Sequence, residues 1–329
     1  MKTLEFTKKA GRRFAITIGS RPGAEYVGLS DREIMEDVQK KVQAVSSFVE
    51  KHNPDVIFSI AGMLMEAETL GAKITLKEYG SPVVDYRPLE GSNDPKKLCI
   101  EENPYAFTLC RNLVDSIRVL RARYRERHIT ASLAGPITVV GQLMGVENML
   151  MQSVESPGFL KEVLHYATER IIEILNLQIN AGATFVHMAD PMSSLLSPKA
   201  FAELSFPFIE RVFGAIQLPN FLHICGNTNN HLPVLSETSA HAVSVDAGVD
   251  MKKAAKLFNP DTAVCGQLDS AGVLARGTHT EVTERTREML EEMAPFPNYI
   301  PASSCGMTRT TPAANIQAFF DTVRSYHFQ

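Results

Sequence analysis

Hydrophobic and polar positions along the chain form short apolar runs separated by longer stretches with helical periodicity. The apolar runs end in Gly or polar residues, which is typical of strands in a parallel sheet. The stretches between them open with helix-start signals: Pro157, Pro198 and Pro312 each follow Ser or Thr, and Thr278 stands at capping distance from Glu281. The pattern predicts strands at 13–20, 55–60, 128–133, 183–190, 221–225, 242–246, 262–268 and 299–304.

Strands that alternate with helices in this way favour an α/β fold, with a parallel sheet closed into a (β/α)8 TIM barrel. The 329 residues suit one such domain, 1–329, because no linker, repeat or low-complexity segment divides them. A hairpin signal at 74–85, turning at 79–82, is added to this plan. An open doubly wound sheet is the alternative, but no Gly-rich phosphate-binding fingerprint follows any strand.

Composition and charge exclude several classes of function. Apolar residues make up 44% of the chain and charged residues 21%, which are ordinary values for a globular protein. The net charge of -4 argues against a nucleic-acid surface, where clustered basic residues are expected. Residues 1–13 lack the apolar core of a secretory signal, and Gly135, Pro136 and Gly141 interrupt the longest apolar run, 131–146. We therefore expect a cytoplasmic protein that binds neither nucleic acid nor membrane.

The candidate chemistry centres on the apolar run 221–225. His223 and Cys225 lie two residues apart, so on a strand both side chains point to one face. Cys305 and Asp246 end two other predicted strands, and the ends of all strands meet at the mouth of a barrel. Five widely spaced cysteines favour metal binding or burial over a disulfide framework. We expect zinc here, with Asp246 as candidate fourth ligand; simple burial of the cysteines is the alternative.

The ligand types indicate what such a zinc site would do. Two thiolates and a neutral imidazole leave bound zinc without net charge and with one position for a weak ligand or a substrate. A substrate thiol that binds there loses its proton near neutral pH and its sulfur stays nucleophilic. This suits a methyl acceptor better than hydrolysis, for which zinc more usually has His and carboxylate ligands.

Four further residues near strand ends are candidates with less specific signals. Gln267 is a candidate substrate-binding residue, and Arg309 either holds an anionic substrate tail or is plain surface. Asp190 either assists catalysis or caps a helix or turn at the end of its strand. His187 either assists as a proton donor or faces the packed interior.

Several motifs resemble the uroporphyrinogen decarboxylase superfamily. They are Gly135-Pro136-Ile137-Thr138, Leu196-Ser197-Pro198 and the His223-x-Cys225 pair followed by Cys305-Gly306. The His-x-Cys and Cys set is similar to the zinc methyltransferases of this superfamily, which move methyl groups to or from corrinoid proteins. The other two motifs are shared by the whole superfamily and do not select an activity.

The resemblance implies a barrel with an N-terminal helical extension, about 1–54, and zinc on His223, Cys225 and Cys305. It also implies an acidic fourth ligand near Asp246, where members of the family often have Glu. A corrinoid protein is the implied partner, because this chain has no Asp-x-His-x-x-Gly motif of the kind that ligates cobalt.

The resulting expectation is methyl transfer from methylcobamide to a thiol such as coenzyme M. The first alternative is the reverse direction, in which a methylated substrate gives its methyl group to the corrinoid and Asp190 or His187 assists as proton donor. A metal-free decarboxylase-like lyase is disfavoured, because Arg21 is the single arginine in 18–23, where decarboxylases of the superfamily carry several. A non-enzymatic binding barrel is the remaining alternative.

Overall fold

The protein is described by a computed structural model that covers residues 12–100 and 102–327. Its centre is an eight-stranded parallel sheet in the order β1-β8-β7-β6-β5-β4-β3-β2. The predicted (β/α)8 barrel is therefore confirmed. The strands are β1 (Ile16–Ile18), β2 (Val56–Ile57), β3 (His128–Ala134), β4 (Phe185–Ala189), β5 (Asn220–Ile224), β6 (Ala242–Val245), β7 (Ala263–Leu268) and β8 (Tyr299–Gly306).

The register of the strands aligns their carboxyl ends at one mouth. Ala189 at the end of β4 pairs with His223 of β5, and His223 pairs with Ser244 of β6. Residues that end neighbouring strands are therefore neighbours in space, as the sequence predicted.

The helices surround the sheet. The α-helices are Pro22–Tyr26, Asp31–Glu36, Val38–His52, Met65–Glu68, Thr108–Arg123, Pro136–Met144, Val146–Glu155, Pro157–Asn180, Pro198–Ala200, Phe206–Gly214, Leu232–Leu235, Met251–Leu257, His279–Met293 and Ala313–Ser325. Short 3₁₀ turns lie at Pro95–Lys97, Pro104–Ala106 and Pro191–Leu195, and π turns at Phe201–Ser205 and Ser270–Leu274. Among the residues described, no helix is both long and apolar enough to cross a bilayer.

The N-terminal region differs from the prediction in its order. Strand β1 lies inside the stretch 1–54 that was expected to be a helical extension, and the helices of this stretch connect β1 to β2. The first eleven residues of that stretch lie outside the described part. A capping box of Ser30 and Glu33 opens the Asp31–Glu36 helix, which ends at Glu36 because Asp37 takes an extended backbone and caps a second helix.

Side chains close the barrel between β1 and β2, where the described residues form no backbone ladder. The Ala15 N–H donates to Asp55 Oδ2 at 2.8 Å, and Arg12 pairs with the same carboxylate. On the mouth side, Ser20 Oγ donates to the carbonyl of Phe58 at 2.9 Å. This seam is therefore held by individual hydrogen bonds, whereas the other strand pairs share a ladder.

The predicted hairpin is confirmed, with antiparallel strands Lys73–Thr75 and Val83–Tyr86. Its turn is fixed to the helix that begins at Asp31: the Asp31 N–H donates to the carbonyl of Glu78, and the Gly80 N–H donates to Asp31 Oδ2 at 2.8 Å. The hairpin thereby covers part of the barrel mouth beside β1 and β2.

The barrel interior is packed with large side chains below the mouth. Phe58, Phe185 and Phe221 meet there with centroid distances of 6.4 Å between neighbours, and Cys265 is fully buried in the same cluster. Each buried phenylalanine contributes about 1.5–3 kcal/mol of transfer free energy to folding. Cys265 therefore belongs to the core, and this packed layer forms a floor for the chemistry above it.

Candidate metal centre

Three of the four predicted metal ligands converge at the barrel mouth. His223 is on β5, Cys225 follows directly after that strand, and Cys305 is on β8. His223 Nε2 lies 2.9 Å from Cys225 Sγ, and the two sulfur atoms are 3.2 Å apart. All three ligand atoms lie within 4.8 Å of one another, and both cysteines are free thiols. We call these three residues the metal group.

The orientation of His223 is fixed by the neighbouring strand. Its Nδ1 lies 3.0 Å from the hydroxyl of Ser244, its register partner on β6, and both side chains are buried. This contact holds the ring so that Nε2 faces the two sulfur atoms. A hydrogen bond to the far nitrogen is the usual way in which proteins orient a histidine ligand.

The two thiols change each other's affinity for protons. The hydrogen bond from Cys225 lowers the pKa of Cys305, and His223 adds to this effect. The same hydrogen bond, together with burial, raises the pKa of Cys225. Of the two thiols, Cys305 is therefore the one that favours the thiolate form, and Cys225 is the one that keeps its proton as the donor. Binding of a metal cation would displace the remaining proton.

The donor set fits zinc. Two sulfur atoms and one imidazole nitrogen match the softness and ligand types of a zinc site with an open position. Ligand atoms of tetrahedral zinc lie about 3.5–3.8 Å apart, so the two contacts of Cys225 Sγ, with His223 and with Cys305, would each lengthen by about half an ångström. The contact between Ser244 and the far nitrogen of His223 supports the same assignment.

Asp246 lies beside the metal group but outside the set of atoms that converge. It follows β6 directly, and its Oδ2 accepts the Gly226 N–H at 2.9 Å while its Oδ1 accepts the Ala247 N–H at 2.8 Å. Because Gly226 adjoins Cys225, these contacts fix the loop that carries a ligand. The role of Asp246 as a fourth ligand stays a prediction.

Asp190 is completely buried at the start of the Pro136–Met144 helix. Its Oδ1 accepts hydrogen bonds from the N–H and the hydroxyl of Thr138, at 2.8 and 2.6 Å, and its Oδ2 accepts one from Ser193. Gly135 is required here, because a Cβ at that position would lie 2.4 Å from the Asp190 side chain. Burial raises the pKa of Asp190 against the effect of these bonds. These contacts are those of a helix cap, which was one of the two alternatives given for Asp190 from the sequence. A catalytic role for Asp190 stays a prediction.

His187 lies next to the metal group on β4. Its ring centroid is 6.3 Å from that of His223 and 5.2 Å from that of Phe58. Burial, and the nearby His223, lower the pKa of His187 to about 3, so its imidazole is neutral near pH 7. A neutral imidazole donates a hydrogen bond but is not an imidazolium acid.

The two predicted substrate-binding residues are engaged by the protein itself. Gln267 Nε2 lies within hydrogen-bond distance of the carbonyls of Asp246, Ala247 and Val249, and so braces the loop after β6. Arg309 donates to Glu25 at 2.7 Å and to the carbonyl of Leu29, and its guanidinium lies 5.1 Å from the Tyr79 ring centroid. Their roles in substrate binding stay predictions.

A cavity of about 410 Å³ lies beside the metal group, under the hairpin. His187 and Gly306, which follows Cys305, form part of its wall. Gln142 also lines it, and sequence reasoning did not single this residue out. The available signal was that Gln142 interrupts the apolar run 131–146. The other walls come from distant segments and include apolar side chains, charged side chains and the serines Ser20, Ser59, Ser81 and Ser132.

Comparisons with known proteins agree on the family. The family model described as uroporphyrinogen decarboxylase (URO-D) matches residues 17–326. A methylated-thiol–coenzyme M methyltransferase of Methanosarcina mazei is 30% identical over 261 residues, which are 78% of this chain and 68% of that protein. The methylcobamide:CoM methyltransferase MtbA of Methanosarcina acetivorans is 24% identical over 223 residues, which are 66% of this chain and 64% of that protein.

A solved structure agrees on the fold. A methyltransferase from Methanosarcina mazei superposes with a TM-score of 0.87, covering 98% of this chain and 99% of that chain at 20% identity. The resemblance inferred from the His-x-Cys and Gly-Pro motifs is therefore confirmed. The chain belongs to the uroporphyrinogen decarboxylase family.

Proposed function

We propose that this protein is a zinc-dependent methyltransferase that moves a methyl group between a corrinoid protein and a small thiol. The observation that carries the proposal is the convergence of His223, Cys225 and Cys305 within 4.8 Å at the mouth of the barrel. The names of the methyltransferase relatives, which include transfer to coenzyme M, support it.

The residues of the metal group would hold the zinc ion. When bound, zinc supplies positive charge that lowers the pKa of a substrate thiol and keeps its sulfur nucleophilic. Ser244 keeps the His223 ring facing the sulfur atoms, and Asp246 fixes the loop after Cys225. The chain therefore contributes a preorganised set of ligands whose positions depend on strand register.

The transfer requires positioning more than side-chain chemistry. In the favoured direction the thiol first loses its proton; the S–C bond then forms as the Co–C bond breaks, and cobalt keeps both bonding electrons. The protein has to hold the sulfur in line with the methyl group and to exclude water. The packed floor of Phe58, Phe221 and neutral His187 beside the metal group provides a dry surface for this purpose.

The corrinoid is expected to arrive on a separate protein. The chain has no cobalt-ligating Asp-x-His-x-x-Gly motif, and the cavity of about 410 Å³ is too small to enclose a corrin ring with its side chains. We therefore expect the partner to present its cobalt face at the mouth, above Cys225 and Cys305.

The experiment that tests this function combines metal analysis with an activity assay. Purified protein is analysed for zinc, and methylcobalamin is followed by its absorbance with and without 2-mercaptoethanol or coenzyme M. We expect about one zinc per chain and thiol-dependent loss of the methyl–cobalt absorbance. Zinc without this activity, but with methylation of cob(I)alamin by a methylated substrate, would reverse the direction. Protein without zinc and without either reaction would contradict the proposal.

A further inference from the structure

One of the three residues of the metal group is held differently from the other two. His223 lies within β5 and Cys305 lies within β8, so the backbone ladders of these strands fix both residues. The ladder between β5 and β6 ends at Ile224, and in the described part of the chain no ladder includes Cys225. The position of Cys225 therefore depends on the loop that follows β5.

The loop after β5 is held by the loop after β6. Asp246 Oδ2 accepts the Gly226 N–H at 2.9 Å, so a side chain replaces the ladder directly after Cys225. Asn229 adds two connections: its Nδ2 donates to the Gly248 carbonyl at 3.0 Å, and its Oδ1 accepts another N–H of the loop after β6 at 2.9 Å. A shift of the loop after β6 would therefore move the loop that carries the thiol.

Gln267 on β7 anchors the loop after β6 in turn. Its Nε2 lies 3.0, 3.0 and 2.9 Å from the carbonyl oxygens of Asp246, Ala247 and Val249. Carbonyls only accept hydrogen bonds, so the two N–H groups of the amide are shared among these three oxygens. Strand β7 also pairs in register with β8, the strand that carries Cys305. The contacts of Gln267 therefore link the positions of the two cysteine ligands.

From these contacts we infer that Gln267 is a positioning residue of the metal group. It fixes the loop after β6, this loop fixes the place of Cys225, and the affinity for zinc rises as a result. The inference rests on the proposed function, because it concerns the zinc ion that the metal group would hold. Loss of a residue that orients a metal ligand typically costs about 10–100-fold in metal affinity.

The contacts of Gln267 contribute more to position than to stability. Asp246 is partly exposed and Ala247 is exposed, so water can solvate their carbonyls when the amide is removed. Gln267→Met keeps the length of the unbranched side chain and removes both N–H groups. We therefore expect this variant to fold like the wild type and to hold Cys225 less firmly.

The test compares metal binding by the full-length wild type and Gln267→Met. Zinc affinity is measured by competition between the zinc-loaded protein and a chromophoric chelator, and we expect about tenfold weaker binding in the variant. Each protein is also loaded with Co²⁺, whose thiolate-to-metal charge-transfer absorbance grows with the number of bound thiolates. We expect this absorbance to fall towards that of Cys225→Ala, while the midpoint of urea denaturation shifts by less than about 0.5 M.

Gln178→Met is the matched control. Gln178 is fully buried on the Pro157–Asn180 helix, where its Oε1 accepts the Ser132 N–H at 2.9 Å and its Nε2 donates to the Ser132 carbonyl at 3.3 Å. Because Ser132 is on β3, this variant should lower the urea midpoint and leave zinc affinity and the charge-transfer absorbance unchanged. The control therefore separates general destabilisation from loss of ligand position.

Asn229→Ala is the second variant, and it decides the matter if Gln267→Met does not fold. It removes two connections between the same loops, so zinc affinity should fall in the same direction, by about threefold. Unchanged zinc affinity and absorbance in the folded variants would overturn the inference. A wild type that binds neither Zn²⁺ nor Co²⁺ would overturn the proposed function and the inference with it. The expected losses in a protein that transfers no methyl group would support the inference and contradict the proposed reaction.

Discussion

The two halves of the barrel mouth are built in different ways. The half formed by β4 to β8 carries the metal group, and continuous backbone ladders join its strands. The half formed by β1 to β3 carries the cavity; side chains join β1 to β2, and a hairpin inserted between β2 and β3 covers the opening.

This difference indicates that the two halves have different roles. A ladder fixes the position of a side chain through register, which suits ligands that must meet a metal ion within fractions of an ångström. The β1–β2 seam and the inserted hairpin can change in sequence without disturbing the backbone ladders. This suits a cavity wall that selects a substrate. Substitutions of the metal ligands should therefore abolish the reaction, and those in the cavity half should change stability or substrate preference.

The largest effect is expected from the metal ligands themselves. Cys225→Ala or Cys305→Ala removes one of three converging donors, so we expect loss of zinc and at least about a thousandfold loss of methyl transfer. The far-UV circular dichroism of both variants should match that of the wild type, because neither thiol belongs to the packed core. Metal analysis and the methylcobalamin assay measure the effect.

Cys99→Ser is the matched control for these variants, because Cys99 is an exposed free thiol. It should keep zinc and activity at wild-type levels. Full activity in either alanine variant of the metal group would show that the thiols are not ligands, and would leave the metal half without its distinguishing property.

The metal half was largely predictable from the sequence, and particular residues show why. His223 and Cys225 lie two residues apart at the end of one predicted strand, so the local pattern placed both side chains on one face. Cys305 followed from the same strand-end rule applied to β8. The rule did not predict that Asp246 would bond to the backbone or that Gln267 would brace a loop, because such contacts depend on loop conformation.

The cavity half was not predictable in the same way. Its wall combines Arg21, Met63, Leu76, Gln142 and His187, which come from five separate segments that only the folded barrel brings together. Two helices, Asp31–Glu36 and Val38–His52, replace one continuous helix because Asp37 caps the second helix instead of continuing the first. Local patterns give the elements, but the space enclosed between elements is a property of their packing.

An effect on stability of intermediate size is expected at Glu66, on the helix that follows β2. Burial raises the pKa of Glu66 from 4.5 to about 7, and its Oε2 has no hydrogen-bond partner in the described structure. A carboxyl group with a raised folded-state pKa stabilises the fold fully below pH 4.5, and this contribution is lost as pH rises through about 7. The loss amounts to about 3 kcal/mol in the free energy of unfolding.

Glu66→Gln removes this dependence and keeps the oxygen that accepts the Ala134 N–H at 3.0 Å. The variant should match the wild type near pH 4.5 and exceed it by up to about 3 kcal/mol at pH 8, measured by urea denaturation at both pH values. Glu90→Gln, at an exposed glutamate, is the control and should change neither value. A variant that is less stable than the wild type at pH 8 would show that the charged carboxylate has a favourable partner.

The smallest effect is expected from Asp190→Asn, and it separates a cap from a catalytic acid. Asparagine keeps Oδ1 for the two bonds from Thr138, and its amide can donate to Ser193 Oγ, whose hydroxyl can turn to Ser205 at 2.7 Å. We therefore expect unfolding free energy within about 1 kcal/mol of the wild type and methyl transfer within about threefold. Asp190→Ala, which leaves the Thr138 N–H and the Thr138 hydroxyl without this acceptor, should lose about 2–3 kcal/mol. A general acid or base at this position would instead make Asp190→Asn lose about 10²–10⁴-fold in rate while staying folded, so comparison of the two variants assigns Asp190 either to the framework of the metal half or to its chemistry.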